Sequence, residues 1–260
     1  MRQFVAETVP GKDGCIYIEG KKAKYLSSVL RCKPGDMLYV RLPGGALQQM
    51  TVSYVDDSKK RVTLQAAGSV SYKAESNSGA KALPVEQKPP VELWLFQFAA
   101  KPAKMDLIVR QAAECGVSCI IPVLGDFCQK GNIESVQKKS SASDERWARI
   151  VTEAREQSGS PIETKIFPAL SVEKSVDLWH NHIKESGWEN KSLSLALYER
   201  TENTIPLHKA VSSVKEVKTA ALFVGAEGGI SPAEFSYLMQ SGILGLHFAT
   251  NILRCETAAL

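Results

Sequence analysis

Near the amino terminus, apolar and polar residues alternate over four short runs: Cys15 to Glu19, Met37 to Arg41, Leu47 to Val55 and Arg61 to Gln65. A period of two predicts strands. The intervening Lys33-Pro34-Gly35-Asp36, Pro43-Gly44-Gly45 and Asp56-Asp57 are turn sequences, so the region predicts a small β-barrel or sandwich. Inside it, Lys21 to Arg31 has helical spacing of Tyr25, Leu26, Val29 and Leu30, which leaves Lys21, Lys22, Lys24 and Arg31 on a wet face. Gly68 to Pro90, rich in Ser, Gly, Lys and Glu and closed by Pro84, Pro89 and Pro90, predicts an exposed linker.

Beyond the linker the pattern changes to apolar strands alternating with amphipathic helices, which predicts an α/β domain with a mostly parallel sheet. The strands are Val91 to Gln97, Ser118 to Leu124, Leu193 to Tyr198, Ala220 to Val224 and Ile243 to Phe248. Helices are expected over Ala103 to Cys115, Asp144 to Ser158 and Pro232 to Gln240. The last of these carries its own start signal: Ser231 as N-cap, Pro232 at the first helical position and Glu234 to complete a capping box, with Gly242 beyond its end.

The chain has 260 residues, 44% of them hydrophobic and 23% charged, which excludes wholesale disorder. Its greasiest run, Val91 to Ala100, contains Glu92 and Gln97 and is too short to span a bilayer, and residues 1 to 10 lack the apolar core of a signal peptide. A cytoplasmic protein without membrane partners is therefore expected. The net charge of +4 is unevenly spread: residues 1 to 70 hold 11 Lys or Arg against 6 Asp or Glu, while the remainder is nearly neutral. A small basic module beside a neutral one suits an appendage that binds nucleic acid, and an ordinary solvated surface fits the same numbers. Six scattered cysteines without a CxxC pair predict free thiols, and His180 and His182 have no Cys or Asp at zinc-ligand spacing, so no metal is expected.

Two segments do not read as plain core. Phe223 to Ile230 runs from a buried-type strand into Gly225-Ala226-Glu227-Gly228-Gly229, just before the capped helix. Glycines at the carboxyl end of a parallel strand suit close approach by a ligand, but a tight turn uses them equally, and the spacing matches neither a dinucleotide fingerprint nor a Walker loop. The second segment, Ala249 to Ala258, follows another strand and places Arg254 and Glu256 near the start of a helix.

Together these segments resemble the RsmE family of 16S ribosomal RNA uridine-N3 methyltransferases, of the SPOUT class. Gly225 to Gly229 is similar to the family's Gly-Pro-Glu-Gly-Gly except at Ala226, and Leu253 to Ala258 matches its Leu-Arg-x-Glu-Thr-Ala. Val29-Leu30-Arg31 with Pro34-Gly35-Asp36, Lys104-Met105-Asp106 with Glu114-x-Gly116-Val117, and Arg146-Trp147 with Glu153-Ala154 and Glu156 to Gly159 follow the family's order. There are departures. Asp126-Phe127-Cys128 stands where the family has Glu-Arg-Ser or Glu-Arg-Cys, Ser160 stands for an arginine, and Ala249-Thr250 for Leu-Gly. Family members also continue for a few helical turns past the position of Leu260.

The resemblance implies a PUA-like β-barrel over residues 1–70, a linker over 71–90 and a SPOUT domain over 91–260 with a carboxyl-terminal trefoil knot, assembled as a homodimer. It implies S-adenosylmethionine as cofactor, held by Leu197, Tyr198 and Glu199, by Val224, Gly225, Glu227, Gly228 and Gly229, and by Ala249, Asn251, Ile252 and Leu253. Arg254 is expected to stabilise charge on the uracil ring, oriented by Glu256, and Lys21, Lys22, Lys24 and Arg31 to face ribosomal RNA. Two other readings stand beside this one: a degenerate homologue that binds ribosomal RNA without methylating it, and a SPOUT enzyme acting on another nucleoside.

Overall fold

A computed structural model describes residues 3–66, 90–141, 143–248 and 252–260. The chain divides into two compact units, Met1–Gln87 with Glu156–Pro161, and Lys88–Arg155 with Ile162–Leu260. All but one residue of the expected linker lies outside the described residues, as do Ala249, Thr250 and Asn251.

The first unit is a curled five-stranded sheet. Its strands are β1 (Phe4–Val5), β2 (Cys15–Glu19), β3 (Met37–Arg41), β4 (Leu47–Asp56) and β5 (Arg61–Ala66), in the order β1-β3-β4-β5-β2. All pairs are antiparallel except β1 with β3. Alternation puts Ile16, Ile18, Val40, Met50, Val52, Val62 and Leu64 on one buried face, closed by Ala23 and Leu26. The helix expected over Lys21 to Arg31 is broken. A short α1 (Gly20–Lys24) passes into a π-helical turn at Tyr25–Val29, where the Leu30 N–H reaches back five residues to the Tyr25 carbonyl, and Arg31 ends it at φ 55°. The wider turn rotates Val29 out of the apolar face, where it is 66% exposed.

In the second unit every strand pairing is parallel. The elements are β6 (Glu92–Phe98), α2 (Pro102–Glu114), β7 (Cys119–Leu124), α3 (Lys130–Lys139), α4 (Arg146–Ser158), β8 (Lys165–Ile166), β9 (Leu170–Ser171), α5 (Val172–Ser186), β10 (Ser192–Leu197), β11 (Ile205–Pro206), α6 (Leu207–Ser212), β12 (Thr219–Val224), α7 (Pro232–Gln240), β13 (Leu244–His247) and α8 (Cys255–Ala258). The sheet runs β11-β13-β10-β12-β6-β7-β8, with β9 also on β7. Strand β6 is buried on both faces, which is why it reads as an apolar run rather than an alternation. One face stacks Phe96 on Phe223, ring centres 4.2 Å apart, beside Trp179, whose indole N–H donates to Ser194. The other packs Ile108, Val109 and Ala112 of α2 against Trp147, Ile150 and Val151 of α4.

Asp106 of α2 ties that second layer together. Its carboxylate accepts from Lys139 (2.9 Å), Arg146 (2.6 Å) and the Trp147 indole (2.9 Å), drawing α2, α3 and α4 to one point. Burial pushes the Asp106 carboxyl up, but these donors outweigh it and hold the group below its ordinary value. The capping box at α7 forms as expected: the Ser231 side chain accepts from the Glu234 N–H, and Glu234 accepts from the Ser231 N–H. Helix α5 had a legible signal in the spacing of Val172, Val176, Trp179 and Ile183, all buried. The two-residue strands β8, β9 and β11 had none, being too short to show a period.

Candidate active site

Because β10, β12 and β13 are parallel neighbours, their carboxyl ends open on the same side, and the segments leaving them meet in a cleft. It is lined by Leu197, Tyr198, Glu199 and Thr201 at the end of β10, by Val224, Gly225, Ala226 and Gly229 at the end of β12, and by Leu246, His247 and Phe248 at the end of β13 with Ile252, Leu253, Cys255 and Ala258 farther along the chain. Eight of the residues expected at a cofactor thus come together: Leu197, Tyr198, Glu199, Val224, Gly225, Gly229, Ile252 and Leu253. Glu227 and Gly228 fall outside the lining. Tyr198 commits its ring to Phe235, stacked at 3.8 Å, and its N–H to the Leu246 carbonyl.

The glycine loop curls tightly on itself. The Gly229 N–H donates to the Ala226 carbonyl (3.0 Å), so Gly229 folds back onto Gly225. A Cβ on Gly225 would lie 2.6 Å from the Gly229 carbonyl carbon, and Gly229 itself sits at φ 77° beside the Glu199 carboxylate. On Gly228 a Cβ would meet only Phe127, at 3.1 Å. Gln97, fully buried at the end of β6, donates through Nε2 to the carbonyls of Val224 (3.3 Å) and Gly225 (3.2 Å) and so fixes where the loop begins. Sequence reasoning missed it; a lone amide in an apolar strand was the available signal, because a buried amide needs partners.

The charged residues pair differently from expectation. Glu256 does not orient Arg254; it binds Lys104 of α2 at 3.0 Å, while Arg254 caps α8 with extended backbone and is exposed. The first turn of α8 turns the Glu256 carboxylate toward α2, and Cys255 Sγ lies 3.9 Å from the same Lys104. Its own backbone N–H first, and Lys104 second, bring the Glu256 carboxyl down to about 2. Glu227 ties the loop to the start of α2, accepting from the Lys101 N–H (3.1 Å) with Lys104 Nζ at 3.6 Å. Burial pushes the adjacent Cys255 thiol up to about 11, so it is protonated at neutral pH. Asp126, at the position of the family's glutamate, accepts from the Ser231 hydroxyl (2.8 Å), and Phe127, at the position of its arginine, is exposed.

In the first unit, Lys21, Lys24 and Arg31 are exposed, but Lys22 is already engaged with Glu7 (2.9 Å) and the Val5 carbonyl (3.3 Å) and lies over the Phe4 ring.

A sequence model of the RNA methyltransferase domain matches residues 87–260, two thirds of the chain and all of the cleft. The chain belongs to the RNA methyltransferase domain family. Relatives of this methyltransferase domain bear the name ribosomal RNA small subunit methyltransferase E: one from Aquifex aeolicus is 32% identical over 179 residues, covering 66% of each chain, and one from Mycobacterium bovis is 23% identical over 256 residues, covering 98% of this chain and 87% of its own. Two solved structures share the fold. A methyltransferase from Legionella pneumophila with bound SAM superposes at a TM-score of 0.74 with 24% identity, over 99% of this chain and 92% of that one. A ribosomal RNA small subunit methyltransferase E from Neisseria gonorrhoeae bound to S-adenosylmethionine does so at 0.74 with 19% identity, over 100% and 93%.

Proposed function

We propose that this chain transfers a methyl group from S-adenosylmethionine to N3 of a uridine in 16S ribosomal RNA. The observation that carries the reading is the cleft: in a chain of the RNA methyltransferase domain family, the residues that resemble the cofactor-binding motifs converge on one opening at the carboxyl ends of β10, β12 and β13.

The lining fits the cofactor. Leu197, Leu246, Ile252 and Leu253 offer apolar walls for an adenine ring, and the tight fold of Gly229 onto Gly225 leaves loop backbone groups to face polar atoms of the ligand. Glu199, over Gly229, is an acceptor for ribose hydroxyls. Bound S-adenosylmethionine supplies an electrophilic sulfonium methyl. The chain's own task is to place the uracil ring in line with it and to favour loss of the N3 proton. That loss puts negative charge on the ring carbonyl oxygens, and the guanidinium of Arg254, exposed and between the lining residues Leu253 and Cys255 in sequence, is a donor for that charge. Glu256, held ionised by Lys104, is a fixed anchor rather than a base. Lys21, Lys24 and Arg31 supply phosphate contacts, with Lys22 holding its own unit together.

We read the carboxyl-terminal segment as a knot, which the packing of Cys255 and Ala258 in the α2 layer supports, β13 lying on the far side of β10 from β12. We read the working protein as a cytoplasmic homodimer without a membrane partner; among the described residues no helix is long and apolar enough to cross a bilayer.

The test is methylation of 16S ribosomal RNA or small subunits from a strain lacking this gene, with nucleosides mapped by mass spectrometry. One new N3-methyluridine is expected. S-adenosylmethionine binding without transfer would point to the degenerate homologue, which Phe127 and Ser160 in place of two arginines favour; a different methylated nucleoside would point to the other enzyme.

A further inference from the structure

Two walls of the cleft carry an acid just outside the lining. Glu227 follows Gly225 and Ala226, and Glu256 follows Leu253 and Cys255. Both approach one cation, Lys104 Nζ, at 3.6 Å and 3.0 Å, with Cys255 Sγ at 3.9 Å. Lys104 sits in the first turn of α2, and the inner face of that helix, through Met105, Ile108 and Val109, is fully buried in the core. Its side chain is 26% exposed, with those of Glu227 and Glu256 at 28% and 16%, so water screens the group only in part. Among the described residues no other side-chain cation pairs with either acid.

We propose that Lys104 is a positioning residue: its single charge holds the glycine loop and the α8 segment together against α2, and so sets the width of the cleft between them. The reason is electrostatic. Without Lys104 the structure brings two carboxylates toward one uncompensated site, and the loop and α8 are the parts free to move, because α2 is anchored by its core face. The effect on S-adenosylmethionine rests on the methyltransferase reading; the effect on the two segments does not.

Lys104→Met, which keeps the aliphatic stem and removes the charge, is compared with Lys104→Arg and wild type by hydrogen exchange and by calorimetric titration with S-adenosylmethionine. In Lys104→Met, peptides covering 225–229 and 252–258 are expected to exchange at least tenfold faster while β6 and β12 keep wild-type protection, and S-adenosylmethionine to bind about tenfold more weakly; Lys104→Arg restores both. Adding Glu227→Gln and Glu256→Gln to Lys104→Met should slow exchange again by removing the repulsion. Unchanged exchange in both segments, or an equal rise in the core strands, overturns the proposal. A wild-type protein that binds no S-adenosylmethionine defeats the functional reading instead, and the exchange comparison still decides the role of Lys104.

Discussion

Replacing Gly225 with alanine adds one carbon where the backbone leaves no space. The new Cβ would lie 2.6 Å from the Gly229 carbonyl carbon, 2.8 Å from its Cα and 2.9 Å from its oxygen. Comfortable carbon–carbon contact is about 3.5–4.0 Å, so Gly229 must retreat by roughly 1 Å. It cannot do so freely, because it is held by the 3.0 Å bond to the Ala226 carbonyl and abuts the Glu199 carboxylate. Overpacking of this kind costs about 1–3 kcal/mol. If the cost is relieved by opening the loop, the binding conformation bears it, and S-adenosylmethionine affinity falls by roughly 5- to 150-fold. Gly228→Ala is the milder comparison, since its Cβ would lie 3.1 Å from the Phe127 Cβ and 3.4 Å from the Phe127 carbonyl oxygen, and a shift of a few tenths of an ångström accommodates it. Less than about a threefold loss is expected there, near the size of a typical surface substitution. Calorimetric titration of both variants, with a thermal melt to confirm folding, makes the comparison. A folded Gly225→Ala that binds like wild type, or a Gly228→Ala that binds worse than Gly225→Ala, would refute the reasoning.

Arg254→Ala should lower the single-turnover methylation rate by about 10²–10³-fold and change the S-adenosylmethionine dissociation constant little, because its charge is needed only as the base develops negative charge; a change in affinity alone would overturn that assignment. Replacing Lys21, Lys24 and Arg31 together with Ala should flatten the log–log salt dependence of RNA binding by up to roughly one unit per lost contact, whereas Lys22→Ala, already paired with Glu7, should leave the slope unchanged in the same titration. Asp106→Asn should cost about 2–3 kcal/mol in urea unfolding, less than a fully buried pair because Arg146 is half exposed. The same carboxyl sets an acid limit: folding lowers its pKa, so its contribution is fully present above the unfolded value near 3.8 and is lost as pH falls through the lower folded value. Wild type should therefore lose stability below about pH 4 more steeply than Asp106→Asn, and parallel curves would remove Asp106 as the cause.

Elements whose information is local were legible in the chain alone. A period of two marks β2, β3, β4 and β5 to within a residue or so, since alternate side chains must share one buried face. The start of α7 was legible because Ser231, Pro232 and Glu234 act on backbone groups within one turn. Eight cleft residues were named from short motifs, for each motif sits at a strand end and parallel strands bring such ends together. What the chain order could not say is which partner a side chain meets. Glu256 stands two residues from Arg254 yet pairs with Lys104 of α2, and Gln97 holds a loop that follows a different strand. Lys22 shares a helix with Lys21 and Lys24 but is spent on Glu7. Gly225 and Gly228 look equivalent in a glycine run, and only the fold back of Gly229 leaves one of them without room for a single carbon. Pairing across the chain is decided by packing, where position in space rather than in sequence sets which charges and carbonyls lie within reach.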